Sequence, residues 1–144
     1  MVVKELMSTN VCFVKENACI EDAAALMRQY DIGFVPVCNE LGEISGVITD
    51  RDLITKGTGG ADKRASMPLK EIMTKEVFTL SPDMDIHEAA LCFSEKKLHR
   101  FPVLQGNRLI GILSVSDLAK KRVFLAEVGD IIGAITLEKY TKNK

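Results

Sequence analysis

Hydrophobic positions along the chain alternate between short continuous runs and helical spacings, and this order occurs twice. In the first half, apolar runs at residues 11–14, 34–37 and 44–48 are rich in β-branched and aromatic residues and predict strands. Ala23, Ala24 and Met27 recur at helical spacing between the first two runs and predict a helix. The second half repeats the order, with runs at residues 77–80, 101–104 and 109–113. Each half is predicted to be strand, helix, strand, turn, strand, helix.

The two halves also match residue by residue. Pro36 matches Pro102, 66 positions further on, and the same separation aligns residues 4–8 with residues 70–74. After a one-residue deletion in a predicted turn the separation becomes 65, and it pairs Gly46 with Gly111 and Asp52 with Asp117. A turn absorbs such a deletion, whereas a strand would exchange its faces. The chain therefore contains an internal repeat.

The repeat defines the predicted domains and fold class. We predict repeat 1 at residues 1–56, a linker at 57–68, repeat 2 at 69–121 and a helical tail at 122–144. The class is α/β of the α+β kind, built from two βαββα units. Because about three strands rarely hold a fold alone, the units should pack through their sheets with pseudo-two-fold symmetry. Prolines 36 and 102 should lie at a sheet edge or a strand start, since proline donates no ladder hydrogen bond.

The tail carries an apolar stripe of its own. Phe124, Val128, Ile131 and Ile135 recur at spacings of four, three and four, as on one face of a helix. This stripe covers the chain's own core or meets a partner chain, and we favour an interface within a homodimer.

Composition and charge exclude several function classes. Lys and Arg number 19 against 20 Asp and Glu, so the net charge is −1, which disfavours nucleic-acid binding. Charges interrupt every hydrophobic run, so no membrane span is expected, and the first residues lack a signal-peptide pattern. The four cysteines lie far apart without a C-x-x-C pair, so no structural zinc site is predicted, and the pattern is typical of thiols in a reducing cytoplasm.

The duplicated motifs resemble those of the cystathionine-β-synthase (CBS) domain, present as a tandem pair. The motifs are Val35-Pro36-Val37 with Gly46-Val47-Ile48-Thr49-Asp50-Arg51-Asp52, and Arg100-Phe101-Pro102-Val103 with Gly111-Ile112-Leu113-Ser114-Val115-Ser116-Asp117. The resemblance implies two clefts that bind adenosine-containing ligands such as AMP, ADP, ATP or S-adenosylmethionine. It also implies a regulatory role, no required cofactor, and two modules stacked as a dimer.

Two hydroxyl–carboxylate pairs are the strongest candidates for ligand contacts. Thr49-x-x-Asp52 and Ser114-x-x-Asp117 each follow an apolar strand and open a helix. Such pairs commonly act only as helix caps. The same geometry offers donors to a phosphate and a carboxylate to a ribose diol, and its double occurrence favours that role. The resemblance assigns the two aspartates to ribose.

A basic pair distinguishes the two halves. His99-Arg100 precedes Phe101-Pro102-Val103, and this string is similar to the phosphate-binding strand of nucleotide-sensing CBS modules. Arginine binds phosphate oxygens two at a time. Gly33 and Phe34 occupy the corresponding positions of repeat 1 without charge, so the two clefts should be unequal.

The resemblance distributes the ligand-binding residues between two clefts. One cleft would contain Ser8, Val11, Cys12, Gly33, His99, Arg100, Ser114 and Asp117, and the other Thr49, Arg51, Asp52, Thr74, Val77 and Phe78. We predict that the Asp117 cleft is the better phosphate site. The other cleft would favour less phosphate charge.

The leading interpretation is a cytoplasmic regulatory module that binds an adenosine nucleotide and acts on a protein target. The alternatives are an assembly module without nucleotide and an S-adenosylmethionine sensor. Ser114, His99 and Asp117 are residue types of a hydrolytic triad, but no G-x-S-x-G elbow is present, so no enzyme is predicted. His87 is interpreted as a solvated residue near a helix start.

Overall fold

The structure is a computed structural model that describes residues 1–56 and 66–142, with side chains described through residue 137. The predicted linker therefore lies largely outside the described residues, at positions 57–65. The chain forms two compact units. Unit 1 consists of Met1–Val11, Phe78–Gly106 and Ile110–Lys144, and unit 2 of Cys12–Val77 with Asn107–Leu109.

Unit 2 is built on a three-stranded sheet. Its elements are β1 (Val14–Lys15), α2 (Ile20–Tyr30), β2 (Phe34–Cys38), β3 (Ile44–Thr49), α3 (Asp50–Thr55) and a 3₁₀ turn (Leu69–Glu71). The strand order is β1-β2-β3, with β1 parallel and β3 antiparallel to the middle strand. The apolar face of α2, which includes Ala23 and Met27, packs with Val35, Val37 and Ile48 of the sheet to form the core.

Unit 1 repeats this plan with a smaller sheet. Its elements are α1 (Val3–Leu6), α4 (Ile86–Lys96), β4 (Arg100–Gln105), β5 (Arg108–Ser114), α5 (Val115–Ala119), a 3₁₀ turn (Arg122–Phe124) and α6 (Leu125–Lys142). Strands β4 and β5 pair, and Leu80 adds a single parallel bridge to Val103. Phe93 of α4 meets Phe101 of β4 edge to face, with ring centroids 4.8 Å apart, in the centre of the core.

The first segment of each repeat packs with the body of the other. Val3 of α1 is fully buried in the unit 1 core beside Phe93 and Leu113, although it opens repeat 1. Leu69 opens repeat 2, yet it is fully buried in the unit 2 core with Val35. The compact units therefore differ from the sequence repeats, whose boundaries stay a prediction about the duplication.

The first strand of each repeat is shorter than predicted. In the run at residues 11–14 only Val14 enters a strand, and β1 ends at Lys15. In the run at 77–80 only Leu80 pairs, through its N–H to the Pro102 carbonyl (3.0 Å) and its carbonyl to the Leu104 N–H (3.0 Å). The runs overpredict strand because only their last residues reach the neighbouring strand.

Pro36 corrects a second expectation. Pro36 is the third residue of the middle strand, not at an edge or a start. It lies opposite Val47, whose N–H and carbonyl bond to Thr74 instead, so β3 offers the proline no acceptor. On the other side, β1 begins only opposite Val37. The missing N–H therefore costs no ladder hydrogen bond.

The tail stripe belongs to the core of its own chain. Phe124, Ile131 and Ile135 are buried in the unit 1 core, where α6 packs on α4. Our expectation that this stripe forms a homodimer interface is therefore wrong. The stripe is the apolar face of an amphipathic helix, and in this chain that face packs on the unit 1 core.

His87 lies near the start of α4, as predicted, and it has a partner on α6. Asp85 caps α4 by accepting the His87 N–H (2.9 Å), which fixes the histidine in the first turn. Its Nδ1 lies 2.9 Å from Glu127 Oε1, and its ring meets Phe124 edge to face at 5.5 Å. The side chain is 61% exposed, so it is solvated near a helix start as predicted, and it also makes a contact between α4 and α6 that the sequence did not predict.

Candidate functional site

A hydroxyl residue ends the last strand of each unit and caps the following helix. In unit 1, Ser114 Oγ accepts the Asp117 N–H (3.2 Å), and Asp117 Oδ2 accepts the Ser114 N–H (2.8 Å). In unit 2, Thr49 and Asp52 exchange the same two bonds, at 3.1 and 3.0 Å. Each pair is a capping box, so both motifs start helices where the sequence predicts. The helix is five residues long in unit 1 and six residues long in unit 2.

Both aspartates are largely buried and have one oxygen committed to the cap. The Asp117 side chain is 12% exposed, and its Oδ2 also lies 2.9 Å from the Ser114 hydroxyl, which is oriented to donate. Its Oδ1 lies 3.5 Å from Lys120 Nζ. Asp52 is 13% exposed, and its Oδ1 lies 3.3 Å from Lys56 Nζ. In each unit the remaining acceptor capacity of the carboxylate is directed to a lysine.

The basic pair of unit 1 is held beside this cap by the backbone. The Val115 N–H donates to the His99 carbonyl at 3.0 Å, which joins the start of α5 to the residue before β4. His99 and Arg100 are both exposed. The structure therefore brings His99, Arg100, Ser114 and Asp117 to one end of the β4–β5 pair, as the sequence predicts.

Unit 2 has an acidic group in the matching place. The Asp50 N–H donates to the Gly33 carbonyl at 3.0 Å, which reproduces the backbone contact of unit 1. A Cβ at Gly33 would lie 2.7 Å from Asp50 Oδ2, so this carboxylate fills the space beside the glycine. Sequence reasoning did not single out Asp50. Its signal is the repeat itself, because the matching residue of the second half is the apolar Val115.

In each unit a further segment pairs with the last strand of the sheet through one antiparallel bridge. The Ser8 backbone exchanges bonds of 2.9 and 3.0 Å with Ile112, and Thr74 does the same with Val47. A Cβ at Gly111 would lie 2.5 Å from the Met7 sulfur and 3.0 Å from the Ser8 carbonyl oxygen. At Gly46 it would lie 2.7 Å from the Thr74 oxygen. The two glycines therefore allow the chain's own backbone to approach the strand closely.

The two units divide the predicted site residues. Unit 1 contains Ser8, Val11, Phe78, His99, Arg100, Ser114 and Asp117, and unit 2 contains Cys12, Gly33, Thr49, Arg51, Asp52, Thr74 and Val77. Cys12, Gly33 and Phe78 thus belong to a different unit from the rest of their predicted sets. The Lys96 ammonium lies over the Phe78 ring, 4.3 Å from the ring centroid.

Other chemistry was searched for along the described residues. They contain no group of three or more His, Cys, Asp or Glu side chains that could hold a metal ion. Over the same residues no helix is both long and apolar enough to cross a membrane. All four cysteines are free, and burial raises the pKa of the Cys38 and Cys92 thiols. The Ser114 hydroxyl takes part in the cap of α5 and also lies 2.8 Å from Ser116 Oγ.

Comparison with known proteins places this arrangement in context. The CBS domain family matches residues 3–58 and 69–124. The CBS domain-containing protein YhcV of Bacillus subtilis is 33% identical over 135 residues, which cover 93% of this chain and 94% of that protein. Hypoxic response protein 1 of Mycobacterium tuberculosis is 28% identical over 117 residues, covering 81% of this chain and 82% of the relative.

Solved structures agree with the sequence relatives. Hypoxic Response Protein I, crystallised with two coordinated zinc ions, has a TM-score of 0.75 at 29% identity and covers 83% of this chain and 98% of its own. The CBS domain pair of protein MJ0100, in complex with 5′-methylthioadenosine and S-adenosyl-L-methionine, has a TM-score of 0.72 at 25% identity and covers 83% and 94%. The predicted fold class and the family resemblance are confirmed.

Proposed function

Because the chain belongs to the CBS domain family, we propose that it is a regulatory module that binds an adenosine nucleotide, such as AMP, ADP or ATP, and acts on a partner protein. The observation that carries this proposal is the unit 1 constellation. The largely buried carboxylate of Asp117 lies in the first turn of α5, and the Val115–His99 hydrogen bond holds the exposed His99-Arg100 pair beside that helix start.

Each group has a distinct role in this proposal. Asp117 accepts the hydroxyls of the ribose, since a carboxylate oxygen with spare lone pairs suits a diol. Arg100 and His99 bind the phosphates, Arg100 through its planar fork. Ser8 and the Met7 side chain lie against strand β5, and the adenine would lie there against apolar atoms. Val11 is the further predicted contact that lies in unit 1, and its backbone would face the adenine edge.

The unit 2 site favours a ligand with less negative charge. It contains Thr49, Asp52 and Thr74, but the carboxylate of Asp50 lies where unit 1 has its basic pair. Phosphate would be repelled there unless Arg51 compensates. Val77 is the further predicted contact that lies in unit 2. A second candidate ligand for this site is S-adenosylmethionine, since a similar CBS pair was crystallised with it.

The test is a titration with AMP, ADP, ATP and S-adenosylmethionine, followed by calorimetry and by the melting temperature. A ligand present at about one hundred times its Kd stabilises the folded protein by about 2.7 kcal/mol. Arg100→Ala should weaken binding of ATP about 10- to 100-fold, the range for a lost hydrogen bond to a charged group. Arg108→Ala is the matched control, because Arg108 is exposed at the opposite end of β5.

A second pair of variants separates binding from folding. Asp117→Asn and Asp85→Asn both alter a helix-capping aspartate of unit 1, but Asp85 caps α4 outside the proposed site. Only Asp117→Asn should reduce nucleotide affinity. If no member of the panel binds, the alternative function as an assembly module without nucleotide is favoured. If Arg100→Ala leaves ATP affinity unchanged, the phosphate assignment is wrong.

The proposal also includes a cytoplasmic location and a homodimer. Four free cysteines without a disulfide suit a reducing compartment. Light scattering tests the dimer, and its protein target would be sought once the ligand is known.

A further inference from the structure

In each unit a lysine ammonium lies 3.3 or 3.5 Å from Oδ1 of the aspartate that the proposed ligand would contact. Asp117 Oδ2 receives the Ser114 N–H at 2.8 Å and the Ser114 hydroxyl at 2.9 Å, so both of its lone pairs are in use. Only Oδ1 has acceptor capacity left, and Lys120 Nζ lies 3.5 Å from it. A ribose that binds Asp117 must therefore share or replace the lysine contact.

The same contact recurs in unit 2 with a residue that is not equivalent. Lys56 Nζ lies 3.3 Å from Asp52 Oδ1 and donates to the Ile72 carbonyl at 3.5 Å. By the 65-residue match, Lys56 corresponds to Lys121 and not to Lys120. The lysine is four residues after the aspartate in one unit and three in the other, yet both ammonium groups meet Oδ1. The lysine–aspartate contact is present in both units, although the lysine occupies a different position after the aspartate in each.

We propose that Lys120 makes the unit 1 site selective for phosphorylated ligands over the free nucleoside. This inference rests on the proposed function. Without ligand, Lys120 neutralises Asp117. When the ribose hydroxyls take Oδ1, the released ammonium binds phosphate as a point charge. A nucleoside without phosphate displaces the lysine and returns nothing for the lost contact. A nucleotide displaces it and provides a new anionic partner.

The exposures of the two side chains allow this exchange. Lys120 is 74% exposed while Asp117 is 12% exposed, so the lysine swings through solvent and the carboxylate stays in place. Exposed ion pairs of this kind are weak, which keeps the cost of the exchange small. Lys56 is 48% exposed and also bonded to the Ile72 carbonyl, so it is held more firmly. We therefore expect the stronger phosphate response in unit 1.

The experiment compares adenosine with ATP as probes on the full chain by calorimetry. Lys120→Gln removes the charge and should weaken ATP about tenfold or more, because a charge-assisted contact to phosphate is lost. The same variant should bind adenosine equally well or up to about fivefold more tightly, because the competing ion pair is gone. Lys120→Arg keeps the cation and should recover much of the ATP preference.

Lys121→Gln is the matched control, since it removes the same charge one residue away and outside the described contacts of Asp117. It should change neither affinity by more than about twofold. If Lys120→Gln weakens adenosine and ATP by the same factor, or behaves like Lys121→Gln, the proposal is overturned while nucleotide binding itself stands. If the unaltered protein binds neither probe, the proposed function fails and this inference fails with it.

Discussion

Replacing Ile131 with alanine should destabilise the protein strongly, because this residue of α6 is fully buried in the unit 1 core. The substitution removes three buried carbon atoms, worth about 2.4 kcal/mol at about 0.8 kcal/mol each. The cavity left behind adds to this, and such substitutions cost about 2–5 kcal/mol in total. The neighbouring Ile132 is 43% exposed, so Ile132→Ala should change stability by only about 0.5 kcal/mol.

Urea denaturation of both variants, followed by circular dichroism at two protein concentrations, measures this difference. The loss in Ile131→Ala should be the same at both concentrations, because the contacts of Ile131 lie within its own chain. Equal losses in the two variants would refute the assignment of the stripe to the core. So would a loss in Ile131→Ala that vanishes at high protein concentration, which would indicate an interface between chains.

Two further predictions concern the glycines and one helix cap. Gly111→Ala should destabilise the protein by about 1–3 kcal/mol, because the new Cβ overpacks against Met7. Gly129→Ala has nothing within 4 Å of its new Cβ, so it should stabilise α6 by about 0.5–1 kcal/mol. Melting curves that rank the stabilities of the two variants the other way would contradict this geometry. The Cys19 N–H donates to the Asp22 carboxylate at 3.0 Å and lowers the pKa of Asp22. The ionised form is thus favoured in the folded state, and its contribution is complete above the ordinary aspartate pKa and is lost as pH falls through the lowered one. Asp22→Asn should cost about 0.3–1 kcal/mol at neutral pH and nothing in strong acid, which urea titrations at the two pH values would check.

The sequence predicted those parts of the site that depend on local chemistry. Thr49-x-x-Asp52 and Ser114-x-x-Asp117 form the expected caps because a capping box involves only residues three positions apart. The His99-Arg100 pair lies beside the second cap because the predicted strand places it there. The stripe of α6 was recognised as a helical face, but its spacing does not say which surface it covers.

Contacts between distant parts of the chain could not be predicted in this way. Ser8 pairs with Ile112, more than one hundred positions later, and no local pattern encodes that partner. The Lys120 contact was missed for a different reason. Helix α5, which contains Asp117, ends at Ala119, so whether the third or the fourth residue after Asp117 reaches the carboxylate depends on how that short helix ends. Repeat matching alone points to Lys121.

The duplication has produced two sites of similar geometry and opposite local charge. In both units a strand end, a capping box and a lysine surround a largely buried aspartate. Beside it, unit 1 has the exposed His99-Arg100 pair, whereas unit 2 has the Asp50 carboxylate against Gly33. Since the shared parts are the ones proposed to hold ribose, both sites should accept the same nucleoside, and the charge of the group attached to it should decide which site it enters. On the proposed function, we expect the two sites to distinguish ligands by charge, because the groups beside the common aspartate differ in charge.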